Sequence, residues 1–172
     1  MAGTLTVQNI EGPSSGANAN TILIPSGQEL HAPGHIIQYQ QRHYDCHNFS
    51  STTASYVDFT GVYVDITPKF SNSLIRFKTQ CIGRNATTLG YAQFRVVDSN
   101  NSDTKFNVNS VAESNFYQGS QWDSAIIVAV AAANTTNTMR LQLQVFTNSG
   151  TTNSFEWSSG DSRHIEAWEI AQ

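Results

Sequence analysis

SYVDFTGVYVDITPKFSNSLIRF, residues 55–77, sets the class of this chain. Val62, Val64 and Ile66 alternate with Tyr63 and Asp65, the period of two that a half-buried strand requires. Thr67-Pro68 ends that strand, because proline offers no N–H to a ladder and restricts the residue before it. Lys69 to Ser73 is polar, and Leu74, Arg76 and Phe77 open a second strand. The stretch therefore predicts a two-stranded hairpin. Its second arm runs on through Cys81 and Ile82 to a break at Gly83-Arg84-Asn85.

The same patterning recurs outward from it. Ahead of it, a strand signal begins at His35 and continues through Tyr44, with Gln38, Gln40, Gln41 and Arg42 placing polar groups on both faces. Such a strand suits an interface with identical copies, where Gln and Tyr bond across the contact. After it, Leu89 to Val97 carries Ala92, Phe94 and Val96 on an expected core face, and Lys105 to Val111 is a weak strand. Asn115 to Asp123 reads as an aromatic-bearing loop, and Ser124 to Ala133 as an almost wholly apolar central strand. Met139, Leu141, Leu143 and Val145 then alternate with Arg140, Gln142 and Gln144. In the last strand, His164, Glu166 and Trp168 oppose Ile165, Ala167 and Glu169. Short strands separated by regular turns predict an all-β fold, an antiparallel β-sandwich of jelly-roll type over 34–172. Residues 1–33 are short strand-turn pieces punctuated by Gly12-Pro13, Pro25-Ser26-Gly27 and Pro33-Gly34. They cannot bury a core alone and are expected to dock on sister chains or another protein.

Composition narrows the function. Charged residues are 13% of the chain, about half the usual share, and the formal net charge is −4. A sequence-independent nucleic-acid binder needs a basic surface, so that class is set aside. No apolar run approaches the roughly 18 residues of a spanning helix. The start, MAGTLTVQNI, lacks the basic and apolar regions of a secretory signal, and Cys46 and Cys81 are read as reduced thiols. Sequons at Asn48, Asn85 and Asn134 are chance in a chain so rich in Asn, Ser and Thr.

Three patches carry a resemblance. Tyr56, Asp58, Gly61, Val62, Ile66, Thr67, Pro68, Leu74 and Ile75 match the C-terminal domains of bacteriophage tail-fibre-like proteins, especially marine ones. The ending Trp168-Glu169-Ile170 is similar to theirs, and TLTVQNIEGPSSGANANTILIPSGQEL is similar to the N-terminal segments of such virion proteins. The resemblance implies a virion component, commonly a homotrimer, assembled in the host cytoplasm. It would attach to other virion proteins through residues 1–33 and contact a host surface glycan or protein through its loops. A capsid or tail decoration protein and a carbohydrate-binding module are the alternatives. No long repetitive shaft separates the N-terminal segment from the tip, which favours a short fibre or knob.

Candidate sites are few. Phe116, Tyr117, Gln118, Gln121, Trp122 and Asp123 mix aromatics with amides in the manner of surfaces that stack on sugars or proteins. His43, Asp45 and His47 share a strand face and could offer metal ligands, although the bland reading is a polar strand without metal. His164 and Glu166 lie near Asp161, but nothing around them supports the paired acids of a glycosidase, and the late glutamates read as surface carboxylates. No nucleophile elbow, zinc-protease or phosphate-loop motif is present. The expectation is a non-enzymatic protein with no cofactor.

Overall fold

The computed structural model describes residues 14–16, 32–44, 49–51, 54–85, 90–108, 114–118, 123–147, 153–155 and 163–172. The chain divides into two compact units, Met1–His31 and Ala32–Gln172. Of the first, only the bend at 14–16 is described, so the strands expected before residue 31 lie outside the described residues.

The second unit is built from strands: β1 (Ile36–Tyr44), β2 (Phe49–Ser51), β3 (Val57–Ile66), β4 (Leu74–Asn85), β5 (Gly90–Asp98), β6 (Thr104–Val108), β7 (Ser114–Gln118), β8 (Asp123–Ala132), β9 (Met139–Thr147), β10 (Asn153–Phe155) and β11 (Arg163–Ile170). Every pairing is antiparallel. One sheet has the order β1-β11-β4-β8, and the other runs β3-β9-β5, with β6 and β7 on the far side of β5. The principal strands pair in nested fashion: β1 with β11, β3 with β9, β4 with β8, β5 with β6. That nesting is the jelly roll.

β6 joins the two sheets along one side. Its first residues pair with Val96 to Asp98 of β5, and Asn107 and Val108 pair with Val130 and Ala129 of β8. On the opposite side the sheets are bridged by side chains. Arg42 of β1 donates to the Tyr63 carbonyl of β3 at 3.2 Å, and Gln38 to the Thr67 carbonyl at 2.6 Å. This explains the polar residues on both faces of β1. Gln38 and Arg42 lie on its inward side, opposite Glu169 and Ile165, and span the open edge of the sandwich.

The stretch 55–77 forms two strands and a turn, but not a hairpin. β3 pairs with β9 and β4 with β11 and β8, so the turn carries the chain from one sheet to the other. The β4 strand also continues through Gly83-Arg84-Asn85, where a break was expected. Between the sheets, Phe59, Val62, Val64, Ile66, Ile75, Phe77, Phe94, Val96, Phe106, Ile127, Leu141, Leu143 and Ile165 form the core. Burial of this much apolar surface, worth about 25 cal/mol per Å², is the main stabilising term.

Phe59 and Val62 both face inward although three positions separate them, because the β3–β9 register shifts between Asp58 and Tyr63. Gly61, with φ of 82°, takes the left-handed conformation inside that bulge. The carbonyls freed there are met by Gln142, whose amide nitrogen lies 3.0 Å from Phe59 O, 3.2 Å from Val62 O and 2.8 Å from Leu143 O. Gln142→Leu keeps the volume but strips these buried acceptors of their donor. A loss of about 1–3 kcal/mol is expected, read as a lower urea midpoint at unchanged slope.

Candidate functional site

The two outer faces of the sandwich differ in kind. On the β3-β9-β5 face the polar side chains satisfy one another. Asp58 accepts from Gln144 at 2.8 Å, and Gln144 accepts from Arg95 at 2.6 Å, a relay across three paired strands. Arg140 grips Asp65 with two bonds of 2.8 and 3.0 Å, and the Arg42 and Arg140 guanidiniums stand 3.7 and 4.3 Å from the Tyr63 ring centroid. Gln144, within this layer, and Gln142 are both buried. The face is closed on itself.

The β1-β11-β4-β8 face is different. Register places its outward side chains in rows across the four strands. One row is Ile36, Ile170, Leu74 and Ala132; the next is Tyr39, Trp168, Arg76 and Val130; the third is Gln41, Glu166, Lys78 and Val128. His43 and His164 begin a fourth, and Ile126 stands at the β8 end of the face. The three exposed large hydrophobic residues among the described ones are Ile36 (51%), Tyr39 (44%) and Ile126 (59%), and all three belong to this sheet. The described outward side chains of β8, Ile126, Val128, Val130 and Ala132, are apolar, as are its inward Ile127 and Ala129. A strand with one solvated face ordinarily alternates polar and apolar residues. β8 does not, so its outward side has the composition of a covered surface.

Polar and aromatic groups interleave at the β1–β11 side of this face. The Tyr39 and Trp168 rings lie 5.6 Å apart, and the Arg76 guanidinium lies 5.5 Å from the Trp168 centroid. Tyr39 donates its hydroxyl to Glu166 at 3.3 Å, and Lys78 stands 4.0 Å from the same carboxylate. Partial burial, the Glu166 charge and this hydrogen bond together push the Tyr39 phenol above its ordinary value. His43 and His164 make an edge-on contact, with ring centroids 4.3 Å apart.

At one end of the sandwich sits a buried carboxylate. Glu169 points inward from β11 and is fully buried. It accepts from the backbone N–H groups of Lys69 (2.9 Å) and Phe70 (3.0 Å), the Ser73 hydroxyl (2.5 Å) and the Gln38 amide (2.6 Å). Burial works to raise its pKa, but the bonds from Ser73, Lys69, Phe70 and Gln38 outweigh it and hold the carboxyl below the ordinary range. Glu169 is thus the clamp on the turn that crosses between the sheets, where a surface carboxylate was expected.

The sequence-selected residues fare unevenly. Phe116, Tyr117 and Gln118 lie in β7, paired along β5, and Asp123 is the first residue of β8, so the expected loop is largely strand. Aromatic residues at 116 and 117 are strand formers, and that preference prevails. The side chains of these four residues, and all of Gln121 and Trp122, lie outside the described residues. So do Asp45, Cys46 and His47. Among the described residues no group of three or more His, Cys, Asp or Glu side chains is arranged to hold a metal. Trp168 stands half-buried on the outer face. That face was missed because its rows come from four strands far apart in sequence. The uninterrupted apolar run 125–133 was its one visible signal.

No family model and no curated protein sequence matches this chain. Solved structures do align with it. The T13 particle of infectious bursal disease virus covers 90% of this chain at 10% identity and a TM-score of 0.45. The VP2 subviral particle of that virus covers 93% at 9% identity and 0.39, and the Gx strain 88% at 10% and 0.41. This chain spans 41–45% of the length of those proteins.

Proposed function

We propose that this chain is a non-enzymatic virion protein of a bacteriophage, a short fibre or knob whose jelly roll packs against sister copies through the β1-β11-β4-β8 face. The observation that carries the assembly reading is the outward side of β8, which is apolar at each of Ile126, Val128, Val130 and Ala132. A homotrimer is the form that the tail-fibre resemblance implies, and residues 1–33 attach the tip to the particle. The resemblance gains weight from the Glu169 clamp. Its two best patches, 56–75 and 168–170, are distant in sequence, yet the clamp ties them into one unit through Lys69, Phe70 and Ser73. Of the clamp residues Glu169 is itself a matched position, while Lys69, Phe70 and Ser73 lie in the polar loop between the matched Pro68 and Leu74. Host contact falls to the 115–123 region, whose Phe116, Tyr117 and Trp122 are aromatic groups of the kind that stack on sugars.

The test joins location and assembly. Purified phage particles should contain this chain, and the isolated protein should sediment as a trimer. Ile126→Lys together with Val130→Lys should yield a folded monomer, because two charges on that face oppose its burial. A wild-type monomer at micromolar concentration would refute the trimer, and absence from the particle would refute the virion role. A tip found on the particle that neither binds host cells nor blocks phage adsorption is a decoration protein.

A further inference from the structure

We propose that His43 and His164 form a two-histidine site for a divalent transition metal that clasps edge strand β1 to β11. The residues are direct cross-strand partners. Both side chains are exposed, and their ring centroids are 4.3 Å apart. Two imidazoles on one tetrahedral or square-planar ion have bonds of about 2.0–2.1 Å, which puts their nitrogens about 3 Å and their centroids about 4.5–5 Å apart. The observed pair lies within about 1 Å of that separation, a change that ordinary side-chain rotation supplies.

Gln41 lies on the same face of β1, and its amide is 2.6 Å from Nδ1 of His164. That contact occupies one ring nitrogen and leaves Nε2 as the one to meet an ion. As placed, the Gln41 amide nitrogen donates to Nδ1; a metal on Nε2 moves the ring proton to Nδ1, and the amide turns over to present its oxygen to it, the orienting bond that metal-bound histidines ordinarily make. Gln41 is therefore a positioning residue. The remaining coordination positions belong to water. Neutral imidazole nitrogens select copper, nickel and zinc over magnesium and calcium, whose preferred ligands are oxygens.

The site differs from the His43/Asp45/His47 pattern of the sequence. It takes one histidine from each of two strands, and so binding would fasten the sheet edge. It does not depend on the trimer or on host contact. The experiment is a thermal melt of the full chain with and without nickel chloride. The midpoint should rise with nickel, since a ligand that binds only the folded state stabilises it. The rise should vanish in His43→Ala and in His164→Ala, and persist in His35→Ala and His47→Ala. Gln41→Ala should weaken binding by about tenfold while still allowing it. Copper(II) added to wild-type protein should broaden the ring-proton resonances of His43 and His164 together, a readout that needs no variant. No nickel-dependent rise, a rise retained in either single variant, or broadening confined to other histidines would overturn the proposal.

Discussion

Glu169→Ala will destabilise the jelly roll by about 3–5 kcal/mol, among the largest effects open to a single substitution. The change removes the acceptor shared by the N–H groups of Lys69 and Phe70 and one N–H of the Gln38 amide, while the Ser73 hydroxyl keeps the Phe70 carbonyl at 2.6 Å and Gln38 keeps the Thr67 carbonyl. Each buried donor left unmet costs about 1–3 kcal/mol, with less than full additivity, and a cavity adds to it. Thermal denaturation should show the midpoint falling by about 10 °C or more. The effect has a pH signature. Because the folded carboxyl sits below its ordinary range, its contribution is complete above the unfolded value of about 4.3 and is lost as pH falls through the folded value. Wild type should therefore lose stability below about pH 4.3 by an amount that Glu169→Gln does not show.

Asp98 supplies the opposite sign. Burial raises its carboxyl, and the backbone bonds from Arg140 and Asn100 only partly offset that. A raised carboxyl costs stability once the unfolded chain ionises, so Asp98→Asn, which can still accept both bonds, should be neutral or mildly stabilising at pH 7. Equal losses in Glu169→Gln and Asp98→Asn would refute this account of both groups.

Phe106→Ala is the second large effect, about 3–5 kcal/mol. Phe106 is almost fully buried and lies on β6, the strand that pairs with β5 at one end and β8 at the other. Its loss opens a cavity where the two sheets are joined by strand pairing, and among the described residues β1 and β3 are not paired. The urea midpoint should fall, and amide exchange should accelerate first in β6 and its neighbours Val96 and Val130. Ile126→Ala, at an exposed site, should move the midpoint of the monomeric unit by no more than about 0.5 kcal/mol.

Much of the architecture is written in local patterns. Alternation at 62–66, 92–97, 139–145 and 164–169 depends only on which side chains face the core, and each of these segments is a strand. What alternation cannot encode is the partner. Residues 55–77 have the local chemistry of a hairpin, and only the distant Glu169 shows that their turn crosses the sandwich. The outer face was hidden for a related reason. His43 meets His164, and Trp168, Arg76 and Val130 line up beside Tyr39, through register, which no single stretch contains. The polar inward side of β1 has a source that no single stretch reveals, side chains that bridge the two sheets of one domain.

The nested pairing also governs when the chain can fold. Gln38 and Glu169 are bonded across 131 residues, and β1 lies between that partner strand and solvent at the edge of its sheet. During synthesis β1 must wait, unpaired, until β11 has left the ribosome. The hydrogen bonds that hold the innermost pairs, β5 with β6 and then β4 with β8, close over shorter loops and can form earlier. High contact order of this kind makes folding slow and leaves an open strand edge exposed while it proceeds. Newly made chains therefore carry an open sheet edge, at β11, until β1 pairs with it.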